Sequence, residues 1–422
     1  MRAETPRLDL GHGLLLAALA MLPFGVGPEL PVLAGAIAGM VQLLRGRIDW
    51  AAPTTRIALL LGLAYWLPQL ASAWDSLAPD KSWSEVALDL RFLPFLLFVA
   101  QPPRATAGAG GRLRGWIAAI VLVWCADALL QAATGISLGG AATSDRLSGI
   151  FGAENLKLGG VIAVLAPFLL IRAWETRRAL ALIAALLVLL VVVLLAGARA
   201  GWFALALGTA LTLWHLLGAR RAAFALAGAL VLGALVGALG YASSERFAER
   251  VHRTATALTG DRAGVEHALA GRLAIWGAAW RMGEAHPVNG VGVRAFRYAY
   301  PDFAAPGDVF VDAETKQGAY HAHQLVLELW SETGAIGLAC WLLAALAAAR
   351  FWRRCTPAAR RSAMPAAIAL AVALFPINTH YAFYSAFWGL LLSWLLGVWL
   401  ALLAEAGASE PSDANTGTAP KG

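Results

Sequence analysis

What most constrains this chain is the length of its apolar runs. Ala179–Ala196 and Ala222–Tyr241 are built almost wholly from Leu, Ala, Val, Ile and Gly, and Val161–Ile171 repeats the character. About 20 such residues in helical form cross the ~30 Å hydrocarbon layer of a bilayer. In lipid the backbone has no water to bond to, so a spanning run of this kind must be a helix. Similar runs recur along the chain, which predicts spans near 10–27, 30–45, 56–73, 86–101, 116–133, 158–173, 179–197, 201–217, 222–241, 324–349, 362–380 and 386–404. The expected fold class is therefore an all-α integral membrane protein with about twelve transmembrane helices. With 59% hydrophobic and 14% charged residues, the chain lacks the charge to solvate a globule of 422 residues, since soluble domains carry roughly a quarter charged residues.

The loops between the runs alternate in character. One set is basic: Arg2 and Arg7, Arg45 and Arg47, Arg104 with Arg112 and Arg114, Arg172 with Arg177 and Arg178, Arg220 and Arg221, and the group from Arg350 to Arg361. The other short loops are poor in Lys and Arg. The positive-inside rule places the basic set, and with it both termini, in the cytoplasm. The net charge of +7 is thereby explained by topology, and no nucleic-acid partner is expected. Residues 1–241 hold nine expected spans, 242–323 a long loop on the outer face, 324–404 three more spans, and 405–422 a tail rich in small residues that reads as disordered. Cys125, Cys340 and Cys355 show neither pairing nor metal spacing and read as structural.

Two amphipathic helices are expected in the long loop, from the stripes Phe247, Val251, Leu258 and Leu269, Leu273, Trp276, Trp280. The string His286-Pro-Val-Asn-Gly-Val-Gly292 should end the second, with Gly290 and Gly292 allowing backbone close to a ligand. Pro301–Tyr320 reads as irregular. Polar residues at the outer ends of the spans are few. Arg199 is a cation on the face where the charge rule disfavours one, which invites an anionic ligand, although such a residue also anchors a helix end. Arg272, alone, reads as a solvated loop arginine. His321 and His323 form a His-x-His pair without the further ligands that a metal needs, so a neutral imidazole acting as base is the better reading. Glu328 and Glu332 read as arginine partners or helix caps, and Asp127, His215 and Asn378 as helix–helix hydrogen-bonding groups.

Five strings along the chain carry a resemblance. Arg146-Leu-Ser-Gly-Ile-Phe-Gly-Ala-Glu-Asn155 resembles an R-x-x-G-x-F-G-x-x-N stretch, and Gly197-Ala-Arg199-Ala-Gly-Trp202 an S-R-x-x-W corner with Ala198 in place of Ser. Gly271-Arg272-Leu-Ala-Ile-Trp276 leads toward a P-x-x-G-x-G turn at Pro287–Gly292. His323-Gln324 is followed by nine residues and Gly334-Ala-Ile-Gly337. In this order they resemble the O-antigen ligase family, whose superfamily also holds O-antigen polymerases and bacterial O-linked oligosaccharyltransferases. The resemblance implies a GT-C-like membrane fold in the bacterial inner membrane, with the long loop and active site facing the periplasm. It implies inverting, metal-independent transfer of O-antigen from undecaprenyl pyrophosphate to a lipid A-core sugar, with no cofactor.

The family's two key arginines map onto Arg199 and Arg272, and its histidine onto His323. Two arginines suit an anionic pyrophosphate leaving group, since each can give charge-assisted bidentate bonds. A positive neighbour also keeps His323 neutral and able to act as base. Arg146, Asn155, Lys157, Gly290, Gly292, His321 and Gln324 complete the expected substrate-binding set, with Lys157 as a third phosphate contact. Ligase is the first reading and polymerase or protein glycosylation the alternatives. A twelve-helix transporter is the remote one, because transporters gather polar residues at broken helices near the midplane of repeated halves, whereas here they gather around one outer loop.

Overall fold

The computed structural model of the chain describes residues 8–102, 108–141, 146–152, 155–243, 245, 248–249, 251–252, 271–376 and 381–408. The described chain is helical apart from a two-stranded antiparallel hairpin, β1 Ile136–Ser137 and β2 Gly140–Ala141, in register Ile136 to Ala141. In chain order the helices are α1 Leu10–Met21, α2 Glu29–Leu44, α3 Pro53–Ala73, α4 Pro79–Asp89, α5 Phe92–Val99, α6 Ala109–Thr134, α7 Leu158–Glu175, α8 Ala179–Leu195 and α9 Arg199–Leu217. They continue with α10 Ala219–Ser243, α11 Arg272–Ala285, α12 Phe296–Phe303, α13 Leu325–Arg354, α14 Pro357–Ala373 and α15 Ala386–Ala408. Among the described residues six helices (α6, α7, α9, α10, α13 and α15) are long and apolar enough to cross a membrane. Three more, α1, α2 and α8, are apolar but shorter.

Packing sorts the helices into a centre and a rim. The window of α7 is 83% buried, because α6, α8, α9 and α14 surround it. Its N-terminal end carries Gly159 and Gly160, and close packing there depends on glycine. A Cβ on Gly159 would sit 2.8 Å from Ala196, and one on Gly201 would sit 3.4 Å from the Gly159 backbone. The window of α10 is 6% buried and that of α13 only 11%, so both present long apolar faces to their surroundings.

Several expectations are corrected. The segment expected as one span at 86–101 is two short helices, α4 and α5, broken at Leu90–Arg91. The polar pair Asp89 and Arg91 explains the break: Arg91 bonds both Glu29 carboxylate oxygens, at 2.9 and 3.0 Å, and reaches Asp89 at 3.3 Å. In α11 the fully buried face is Ile275, Ala278, Ala279 and Met282, while of the expected stripe Leu273 and Trp276 are half-buried and Trp280 is exposed. The buried face packs on Phe296, Tyr300 and Ala322 in a small core of its own. Asp127 serves a loop and not another helix, accepting the Leu138 N–H at 2.7 Å, and His215 is exposed. Part of the stretch expected to be irregular, Pro301 to Phe303, closes α12. Phe247, Leu258, Leu269, Asn378, Arg2, Arg7 and Arg104 lie outside the described residues, as do residues 409–422 of the tail.

Candidate active site

The end of the molecule that carries both glycine motifs is organised by a broken helix. Inside α13, Gly334 has φ 59° and ψ −153°, a conformation that only glycine adopts readily. A break of this kind frees backbone donors and acceptors, which must find partners when buried. They find them in the turn after α11. Ala335 and Ile336 donate to the Pro287 and Val288 carbonyls at 2.9 and 3.1 Å, and Val291 and Gly292 donate to the Ser331 and Glu332 carbonyls at 2.8 and 3.2 Å. The contact is backbone on backbone: a Cβ at Gly290 would lie 2.3 Å from the Glu332 carbonyl carbon, and one at Gly334 would lie 2.5 Å from that of Val288. The glycines of the two motifs are thus the two halves of one joint.

The opposite side of the turn is clamped by the corner between α3 and α4. Leu77 donates to the Val291 carbonyl at 2.9 Å, Val293 N–H to Ser72 Oγ at 3.0 Å, and Ser82 Oγ to the Val293 carbonyl at 2.6 Å. Gly292 presses on Ser76, whose Oγ would be 2.0 Å from an added Cβ. Gly290 and Gly292, expected near a ligand, are therefore buried against protein backbone and Ser76. Sequence reasoning passed over the three serines. Ser72, Ser76 and Ser82 beside an apolar span were the available signal.

Above the joint, four positively charged or basic residues stand at the starts of helices. Lys157 precedes α7, Arg199 opens α9, Arg272 opens α11 after Gly271 in the left-handed conformation, and His323 stands two residues before α13. A helix start presents free N–H groups and the positive end of the helix dipole, which favours anions. Arg272 and Arg199 lie within electrostatic range of each other: burial first, and then the Arg199 charge, lowers the proton affinity of Arg272. His323 is pushed down to about 4, by burial first and then by the Arg272 charge. The imidazole is therefore neutral at physiological pH.

The histidine is held in place on both sides. Its φ is +53°, a left-handed conformation rare outside glycine. Such strained residues cluster at functional sites, where the surroundings fix them. Here Gln324 does so: its Oε1 accepts the Leu327 N–H at 2.5 Å as the cap of α13, and its Nε2 donates to the Pro376 carbonyl at 2.9 Å. The His321 ring lies 4.0 Å from the His323 ring, centroid to centroid. Lys157 Nζ sits 4.1 Å over the Phe387 ring, and burial lowers its proton affinity. Asn155 Oδ1 accepts the Lys157 N–H at 3.2 Å. Arg146 is half-buried, and the next residue, Leu147, donates to the Leu195 carbonyl at 3.3 Å, which sets its segment beside the Arg199 corner.

Beneath the cations lies a carboxylate layer. Glu328 and Glu332 are each 1% exposed. Glu328 accepts the Tyr384 N–H at 3.1 Å and Glu332 the Arg294 N–H at 2.6 Å. Arg294, itself at φ +60°, reaches Glu85 at 3.8 Å. Burial and then Asp89 push Glu85 up to about 7, against the pull of Arg294. Glu85 and Arg294 are site residues that the sequence alone did not mark. Among the described residues, no three His, Cys, Asp or Glu side chains come together as a metal site.

Residues 184–342, which hold Arg199, Arg272, both histidines and both glycine motifs, match the family model described as O-antigen ligase. No curated protein matches the chain. The match covers less than half of the chain, and over residues 184–342 the chain is similar to the O-antigen ligase family.

Proposed function

We propose that the chain is an O-antigen ligase, moving O-antigen from undecaprenyl pyrophosphate to a sugar hydroxyl of lipid A-core at the periplasmic face of the bacterial inner membrane. The observation that carries this reading is the coupling of Arg199, Arg272 and His323 in one electrostatic cluster with a neutral imidazole. The proposed topology places the long loop on the periplasmic side. The sugar–phosphate bond breaks with its electron pair passing to the pyrophosphate. Arg199 and Arg272 take up that charge as it grows, so they favour the transition state over the ground state. Charge-assisted bonds of this kind contribute about 1.5–3 kcal/mol each. Lys157 is a further phosphate contact.

On the other face of the anomeric carbon, His323 takes the proton of the acceptor hydroxyl as its oxygen forms the new glycosidic bond. Displacement from the rear inverts that centre. Glu328 and Glu332 each accept a backbone N–H and Glu85 faces Arg294; in this reading arginines take the part that a divalent ion plays elsewhere, and the reaction is metal-independent. Arg146, Asn155, His321 and Gln324 belong to the proposed substrate-side shell. Gln324 acts there by fixing His323, and Gly290 and Gly292 by fixing the turn.

Polymerase is the alternative, since it shares the donor and differs in the acceptor. Lipopolysaccharide gels of a deletion strain separate the two. A ligase deletion loses the long ladder while glycan accumulates on the lipid carrier. A polymerase deletion leaves a single-repeat product. A ladder that persists unchanged overturns both.

A further inference from the structure

Two apolar grooves flank the cation cluster on different sides. One, of about 300 Å³, lies among α8, α9 and α10 and is lined by Leu190, Val193, Trp202 and Leu226. It sits beneath the Arg199 corner, where Trp202 Nε1 donates to the Val193 carbonyl at 3.1 Å. The other, of about 460 Å³, lies among α3, α13, α14 and α15. Pro376 and Phe383 line its outer end and Trp352 and Trp399 its inner end. Gln324 bonds the Pro376 carbonyl, so the second groove opens beside His323.

The second groove is open at the side and closed below. Ala345, Ala349 and Ala371 line it and are exposed, so a chain can enter laterally from the bilayer. Its inner end is blocked by Trp352 and Trp399, stacked at 6.2 Å and 28°. From Ala386 to Trp399, α15 rises only about 20 Å at 1.5 Å per residue, less than the ~30 Å hydrocarbon thickness. A long polyprenyl chain outruns such a pocket, whereas acyl chains end within it.

The reaction geometry assigns the grooves. In an inverting displacement the leaving group and the attacking hydroxyl stand on opposite faces of the anomeric carbon. The donor's lipid is bonded to the pyrophosphate, so it belongs on the arginine side. The acceptor must reach His323. We propose that the groove among α3, α13, α14 and α15 seats the acyl chains of a lipid-anchored saccharide acceptor, delivering its hydroxyl to His323. This inference rests on the ligase reading above.

Ala345→Trp and Ala371→Trp fill the groove without touching the cation cluster, and the purified full chain is assayed with lipid-linked donor. With rough lipopolysaccharide as acceptor, the acceptor KM is expected to rise roughly tenfold, the loss of about two buried methylene groups. The donor KM should stay within about twofold. With fully deacylated core saccharide, wild type and variants should share one high KM. A rise in donor KM instead would give the groove to the polyprenyl chain and overturn the proposal. Equal use of acylated and deacylated acceptor by the wild type would overturn it too. A benzophenone side chain at Ala348 gives a readout independent of turnover. It should crosslink rough lipopolysaccharide, and adducts with donor or bulk phospholipid alone would contradict the proposal. A wild-type enzyme that transfers glycan to no form of core saccharide, yet crosslinks rough lipopolysaccharide at Ala348, would sink the ligase reading and leave the lipid seat standing.

Discussion

The upper and lower polar layers of the candidate site are built on opposite rules. Below, each acid is spent on the protein: Glu328 on Tyr384, Glu332 and Glu85 on Arg294, Asp89 on Tyr65 and Arg91. Above, like charges are gathered. Arg199 bears on Arg272, and Arg272 on His323. Such a gathering of cations is what the proposed pyrophosphate site requires. The lower layer holds the turn and the broken helix in the geometry that the upper layer needs.

If the layers divide the work in this way, substitutions above should cost rate and substitutions below should cost stability. The largest effect is expected at His323. His323→Ala should lower turnover by about 10²- to 10⁴-fold while donor binding and the thermal midpoint hold. His321→Ala should lose far less. Parallel turnover and donor-binding measurements decide this, and a reversed order of the two histidines would move the base to His321.

The next effect is on pH dependence. A base whose folded pKa is about 4 is deprotonated above that value. Turnover should stay level from neutral pH down to about 5, then fall roughly tenfold per unit below about 4. The sign for stability follows the same shift. Between about 4 and the ordinary histidine value near 6.5 the unfolded chain binds the extra proton, so this contribution to stability rises with pH across that window. Arg272→Gln should move the activity limb upward, and an unmoved limb in a pH-rate profile would separate His323 from that arginine.

In the lower layer, Glu332→Ala leaves the Arg294 N–H without its acceptor. It is expected to cost about 1–3 kcal/mol of stability, read as a lowered thermal midpoint. Turnover of the remaining folded enzyme should fall less than in His323→Ala. The smallest expected effect is that of chelation: thorough EDTA treatment should leave turnover unchanged, and recovery that depends on added divalent ion would show that the arginines do not carry the charge alone.

The sequence disclosed the helices and the cation cluster better than it disclosed the joint. Apolar period and length mark α6, α7, α9, α10, α13 and α15 because burial in lipid needs nothing else. The span expected at 86–101 failed because one polar pair, Asp89 and Arg91, outweighs its apolar neighbours. Arg199, Arg272 and His323 were legible from their strings, but their convergence is a property of helix starts far apart in sequence. Gly290 and Gly292 were legible as close-approach glycines. The approaching partner was not, since backbone at Glu332 and a serine at Ser76 leave no pattern in composition. Arg294 was missed because its N–H bond to Glu332 is one any residue could make and its side-chain partner, Glu85, lies far away in sequence.

The central claim is that Arg199 and Arg272 grip one leaving group. A double-mutant cycle on turnover with Arg199→Lys, Arg272→Lys and the double variant tests it most directly. Lysine keeps the charge and loses the bidentate geometry, so each single variant should lose about 10²- to 10³-fold in kcat. Groups acting on one charge as a unit lose their effects non-additively. The expected result is a double variant little worse than the weaker single. Losses that multiply in full would mean two independent arginines and no shared diphosphate site.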